Sequence, residues 1–142
     1  MANGISVVVP VKDEVENVGP LVDEIVAAIA SETPTEIIFV DDGSTDGTTD
    51  ALTSLKRRVP QLRVVRHARN AGQSRSIRTG VRAARFDVVV TLDGDGQNDP
   101  ADIPKLLAVL RSTTGAKVVG LVSGIRAQRK EDRKSTRLNS SH

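Results

Sequence analysis

The chain has 142 residues, 38% hydrophobic and 27% charged, a balance that suits one soluble globular domain with room for a real core. It has no cysteine, two phenylalanines and neither tyrosine nor tryptophan, no apolar run near the ~18 residues of a membrane span and no opening signal peptide, which argues against disulfides, thiolate metal sites, base-stacking on nucleic acid and export. The net charge of +2 comes from 20 basic and 18 acidic residues, and residues 132–142 hold three of the former and one of the latter, so residues 1–131 are neutral and a nucleic-acid partner is not expected.

Strand-like and helix-like segments alternate, which predicts an α/β fold with a mainly parallel sheet. Residues 5–9 form a continuous β-branched run, as expected of a strand buried on both faces. A helix over 17–30 follows, with Pro20 tolerated in its first turn and Leu21, Val22, Ile25, Val26 and Ile29 as its apolar stripe. Residues 37–40 are the second strand, ending in a polar loop over 41–48. A helix over 49–58 and a short strand over 62–65 come next. The helix over 74–84 puts Ile77, Val81 and Ala84 on one side and Arg75, Arg78, Arg82 and Arg85 on the other. Residues 88–92 are the fourth strand. Asp99 and Pro100 suit the N-cap and first position of a helix running to Arg111, and 117–122 is the last strand.

Chemistry concentrates where strands end. Asp93-Gly94-Asp95-Gly96-Gln97 directly follows the fourth strand. Two carboxylates in a D-x-D pattern there can converge on a hard divalent cation, and the glycines let the backbone bend and a ligand approach. Pro10-Val11-Lys12-Asp13-Glu14 follows the first strand and Asp41-Asp42-Gly43-Ser44 the second. Ligands of open parallel sheets bind outside the carboxyl ends of the strands, where all three clusters fall. His67, in a loop with no second histidine in the domain, is not expected to bind metal.

The segment from Val7 through Pro10 to Glu14 resembles the opening strand and loop of family-2 glycosyltransferases. Phe39-Val40-Asp41-Asp42-Gly43-Ser44-Thr45-Asp46-Gly47-Thr48 is similar to their second signature. Asn70-Ala71-Gly72-Gln73 is similar to a shorter third, and Leu92 through Asp99-Pro100 to their D-x-D loop. Order and spacing agree over residues 5–126. Gln97 and Val122-Ser123-Gly124-Ile125-Arg126 further resemble the dolichol-phosphate-mannose-synthase-like, polyprenyl-phosphate branch.

The resemblance implies a GT-A fold, a three-layer α/β/α sandwich with a Rossmann-like sheet, of which this chain would hold the N-terminal nucleotide-binding half. It implies a nucleotide-diphospho-sugar donor, UDP- or GDP-linked, and a lipid-phosphate acceptor. Pro10, Lys12 and Glu14 would line the nucleoside, and Val40 and Asp42 would contact the base. Asp93, Asp95 and Gln97 would hold Mg²⁺ or Mn²⁺, with Asp95 and Arg126 as the catalytic candidates and Arg126 orienting the acceptor phosphate. Lys12 departs from the aromatic residue often found at its position. Transfer would invert the anomeric centre without a general base, at the cytoplasmic face of the membrane, with any membrane association carried by a C-terminal part this chain lacks. Residues 1–131 are expected to be a truncated domain, and 132–142, which resemble translated sequencing-adapter sequence, a disordered tail. Two alternatives stand beside this: a nucleotide-sugar-binding fragment without activity, and a haloacid-dehalogenase-type phosphotransferase using Asp93.

Overall fold

The computed structural model describes residues 2–32, 34–94, 99–111 and 119–121. In chain order its elements are β1 (Ala2–Val11), α1 (Val18–Ala28), β2 (Thr35–Asp41), α2 (Thr48–Leu55), β3 (Leu62–Arg66), α3 (Gln73–Ala83) and β4 (Phe86–Thr91). A 3₁₀ turn (Pro100–Asp102), α4 (Ile103–Arg111) and β5 (Val119–Leu121) complete them. Every expected element is present, with ends shifted by a few residues. The largest change is β1, which starts at Ala2.

The five strands form one parallel sheet in the order β3-β2-β1-β4-β5. The chain steps outward from β1 to β3 and then returns across the sheet to β4. Right-handed crossovers therefore place α1 and α2 on one face and α3 on the other, which gives the three layers. The reversal leaves a crevice beyond the carboxyl ends of β1 and β4.

The alternation of β1 divides the core. Ile5, Val7, Val9 and Val11 face the larger cluster, with Leu21, Val22 and Ile25 of α1, Leu52 of α2, and Ile103 and Leu107 of α4. Val8 faces the smaller one with Ile38, Val40 and Val89, against which Val81, Ala83 and Ala84 pack.

Seating of α3 differs from the apolar stripe read in the sequence. Its buried residues are Ser76 and Gly80, while Ile77 and Val81 are only partly buried. A Cβ built on Gly80 would lie 2.3 Å from Val8 Cγ1 and 3.2 Å from Val40 Cγ2, so the missing side chain sets how closely the helix approaches the sheet. Small residues carry no amphipathic signal, which is why the stripe pointed slightly aside. The Asp99 cap is as expected: its Oδ1 accepts a hydrogen bond from the Ala101 N–H at 3.0 Å.

At the opposite end of the sheet from the crevice, Glu36 is buried and multiply satisfied. It accepts from Ser6 Oγ at 2.6 Å, Arg63 Nη1 at 2.7 Å and the Arg85 N–H at 2.6 Å. Burial pushes its carboxyl upward, but the hydrogen bonds from Ser6, Arg85 and Arg63 outweigh that and leave it below the usual value.

Candidate functional site

A cleft of about 370 Å³ opens at the crevice. Its lining draws on four chain segments: Pro10, Val11, Lys12 and Glu14 after β1, Asp42 after β2, Asn70, Gly72, Gln73 and Ser76 around the start of α3, and Asp93 and Gly94 after β4. The clusters that the sequence places at strand ends thus meet in one cavity.

Hydrogen bonds join the loops. Asp13 adopts a positive φ of 55°, its N–H donates to Ser44 Oγ at 2.8 Å, and its Oδ1 accepts from the Thr45 N–H at 2.8 Å. The Glu14 N–H donates to Thr48 Oγ1 at 2.9 Å. The Thr45 amide and the Lys12 ammonium hold the Asp13 carboxyl below its ordinary range. Asp46 Oδ1 in turn accepts from the Thr48 N–H at 3.0 Å and helps open α2. Asp41 accepts from the Ser44 N–H and from Thr49 Oγ1.

Asp42 clamps the second loop to the third. Its Oδ1 accepts from the Ala71 N–H at 2.8 Å and lies 2.8 Å from His67 Nδ1, and its Oδ2 accepts from the Gly72 N–H at 2.9 Å. Burial alone would raise its carboxyl, but these three donors hold it below the usual carboxylate value. Gly43, at φ 80°, lets the loops touch, because a Cβ there would lie 2.9 Å from the Asn70 nitrogen.

Gly94 plays a comparable part on the other wall. A Cβ on it would come within 2.2 Å of Val11 Cγ1 and 2.5 Å of the Pro10 carbonyl oxygen. Its lack of a side chain therefore serves loop-on-loop packing beside the cleft. Asp93 Oδ1 accepts from Gln73 Nε2 at 2.9 Å, which ties the β4 loop to the first turn of α3.

The lining is acidic, with Glu14, Asp42 and Asp93 against Lys12 alone, and Lys12 Nζ is 3.0 Å from Asp13 Oδ2. No imidazole or thiolate lines the cleft among the described residues. An all-oxygen, carboxylate-rich donor set fits a hard divalent cation. Asp93 lines the cleft, while Asp95 and Gln97, the other two residues expected to hold an ion, lie outside the described residues, as does Arg126. No cluster of three His, Cys, Asp or Glu side chains that could hold a metal ion occurs among the described residues.

Of the other expected site residues, Pro10, Lys12, Glu14 and Asp42 line the cleft. Val40 does not. Its side chain is fully buried against Val8, Ile38 and Val89, because strand alternation turns it towards α3. Gln73 and Ser76 also line the cleft and His67 stands behind it, although the sequence assigned none of the three a role at the site. Gln73 sits inside the Asn70–Gln73 segment that the resemblance had marked, whereas the partners of His67 are distant in sequence and gave no signal.

The model of the family described as "Glycosyl transferase family 2" matches residues 6–141. The chain belongs to glycosyl transferase family 2. Among curated relatives, it is 40% identical over 129 residues to the dodecaprenyl-phosphate galacturonate synthase of Rhizobium johnstonii, covering 89% of this chain and 37% of that protein. It is 41% identical over 120 residues to the undecaprenyl-phosphate 4-deoxy-4-formamido-L-arabinose transferase of Serratia proteamaculans, covering 83% and 36%. The chain thus spans little more than a third of the length of these relatives. Among solved structures it is similar to a mannosyltransferase from Pyrobaculum calidifontis in complex with GDP-Man and Mn²⁺. That match has 26% identity and a TM-score of 0.61 over 67% of this chain and 28% of the other. The sandwich is of the GT-A type, as the sequence implied. Family membership, with Asp93 after the fourth strand, sets aside the phosphotransferase alternative.

Proposed function

We propose that the whole protein transfers a sugar from a UDP- or GDP-linked donor to a polyprenyl phosphate, with inversion, and that this chain supplies its donor-nucleotide half. The observation that carries the reading is the cleft itself. Four loops of a glycosyl transferase family 2 chain converge at the reversal of strand order into a carboxylate-lined cavity. The polyprenyl-phosphate acceptor is inferred from the two relatives.

Pro10, Lys12 and Glu14 would bound the nucleoside, and Asp42 would present carboxylate oxygen towards the base. Asp93, with Asp95 and Gln97, would hold Mg²⁺ or Mn²⁺. Bound there, the ion would offset charge on the departing diphosphate. Gln73 steadies Asp93 through its amide and so fixes one donor before any ligand arrives. An acceptor phosphate is already an anion, so no general base is required of the chain, and Arg126 would orient it through a guanidinium fork. No described helix is long and apolar enough to cross a membrane. We place the reaction at the cytoplasmic face of the membrane, with residues 1–131 as the domain portion and 132–142 as a tail apart from it.

The test is to incubate the chain with UDP- or GDP-linked sugars, Mn²⁺ and undecaprenyl phosphate, and to follow lipid-linked sugar and freed nucleoside diphosphate. Product that disappears in Asp95→Asn supports the reading. Transfer undiminished in that variant contradicts the metal assignment. A second reading is favoured by the chain's spanning about a third of its relatives: the isolated chain binds nucleotide and transfers nothing. Metal-dependent nucleotide binding without product would select it.

A further inference from the structure

We infer that His67 is a positioning residue for the nucleotide side of the cleft, acting through Asp42 and held in turn by Thr79. The inference rests on the reading of that cleft as a nucleotide site.

His67 directly follows β3. Its N–H donates to the Asp41 carbonyl oxygen at 2.9 Å, which carries the β2–β3 pairing one step past the strands. The side chain is only 16% exposed. Both ring nitrogens are engaged, Nδ1 at 2.8 Å from Asp42 Oδ1 and Nε2 at 2.9 Å from Thr79 Oγ1. An ionised carboxylate only accepts, so Nδ1 carries the proton shared with Asp42. The Thr79 hydroxyl can donate or accept, so it satisfies Nε2 whether or not that nitrogen is protonated. The imidazole is thereby a strut between the loop after β2 and the middle of α3.

What the strut holds matters for the cleft. With the ring in place, Asp42 keeps one oxygen on the Ala71 N–H and the other on the Gly72 N–H. The Gly72 N–H is shared with Asn70 Oδ1 at 3.0 Å. Gly72, at φ 100°, is the N-cap of α3 and lines the cleft. The next residue, Gln73, donates to Asp93. The chain of contacts runs from Thr79 through His67 and Asp42 to the turn that aims Gln73 at the β4 loop. His67 does not itself line the cleft, so it shapes the wall without touching a ligand. Buried polar groups joined this way fix one loop geometry only while every member is satisfied.

The test is amide hydrogen exchange by NMR on the full chain and on His67→Leu, His67→Asn and Thr79→Val. Asparagine retains a donor near the Nδ1 position and serves as the conservative variant. In the parent chain the Ala71 and Gly72 amides should be protected. His67→Leu should speed their exchange about tenfold or more, with amides of Val8 and Ile38 unchanged, and His67→Asn should restore most of the protection. Thr79→Val should fall between. Absent protection at Ala71 and Gly72 in the parent, unchanged exchange in His67→Leu, or acceleration spread equally over the sheet would overturn the proposal. Titration of the same proteins with UDP and GDP in the presence of Mn²⁺ should show His67→Leu binding about tenfold more weakly, and equal affinity would also overturn it. Binding of neither nucleotide by the parent counts against the nucleotide-site reading, and the exchange data then decide the strut by themselves.

Discussion

Replacing Gly80 by alanine sets two physical effects against each other. Helix propensity alone favours alanine by about 0.8–1 kcal/mol. The packing opposes it, because the new methyl would sit 2.3 Å from Val8 Cγ1 in a cluster where Val8 and Val40 are fully buried. Overpacking of a filled core costs about 1–3 kcal/mol, so the net expectation is a loss of up to about 2 kcal/mol and no gain. The three atoms nearest that methyl all belong to side chains, and the closest belongs to Val8. Val8→Ala should therefore make room. Alone it removes two buried methyl groups at about 0.8 kcal/mol each plus a cavity cost, about 2–3 kcal/mol in all. In the double variant the methyl introduced at position 80 occupies part of the space vacated. Its destabilisation should fall about 1–2 kcal/mol short of the sum of the single variants. Urea unfolding of the four proteins, followed by circular dichroism, measures the cycle. A Gly80→Ala chain more stable than the parent, or strict additivity, would refute the claim that this glycine sets the distance of α3 from the sheet.

Three further outcomes follow from the geometry. Gly43→Ala introduces a side chain at φ 80° and 2.9 Å from the Asn70 backbone, where no rotamer change can relieve it, so a loss of about 1–3 kcal/mol in urea unfolding is expected. Glu36→Ala strips the partner from Arg63, Ser6 Oγ and the Arg85 N–H and should cost about 2–4 kcal/mol, whereas a cost below about 1 would mean that the buried carboxylate contributes little. Asp42 and Glu36 both have carboxyls depressed in the folded chain, so the stability they lend is complete above their unfolded values near pH 4 and disappears as pH falls through the folded values. The urea midpoint should drop below about pH 4, and less steeply in Asp42→Asn; identical profiles for the two proteins would contradict the clamp's charge.

The frame of the molecule was readable because its signals are local. The runs Val7-Val8-Val9 and Ile37-Ile38-Phe39-Val40 are apolar without alternation, as strands buried between helix layers must be. Asp93 directly after the fourth apolar run marked the cleft before any topology was known. The remainder depends on pairings between residues far apart in sequence. Asp42 lines the cleft as expected, but its engagement with His67, Ala71 and Gly72 arises only when β2 and β3 are side by side. Val40 belongs to the same signature and yet faces the core, since adjacent strand positions point to opposite sides. Ser76 and Gly80 were invisible to a periodicity of large apolar residues, and they are the residues that α3 buries.

The most direct measurement is a calorimetric titration of the folded chain and of Asp95→Asn with UDP and with GDP, each with and without Mn²⁺. The account predicts that one nucleotide binds, only with the metal present, and that the variant loses this binding. A folded chain that binds neither nucleotide, or binds one equally well without Mn²⁺, would contradict it.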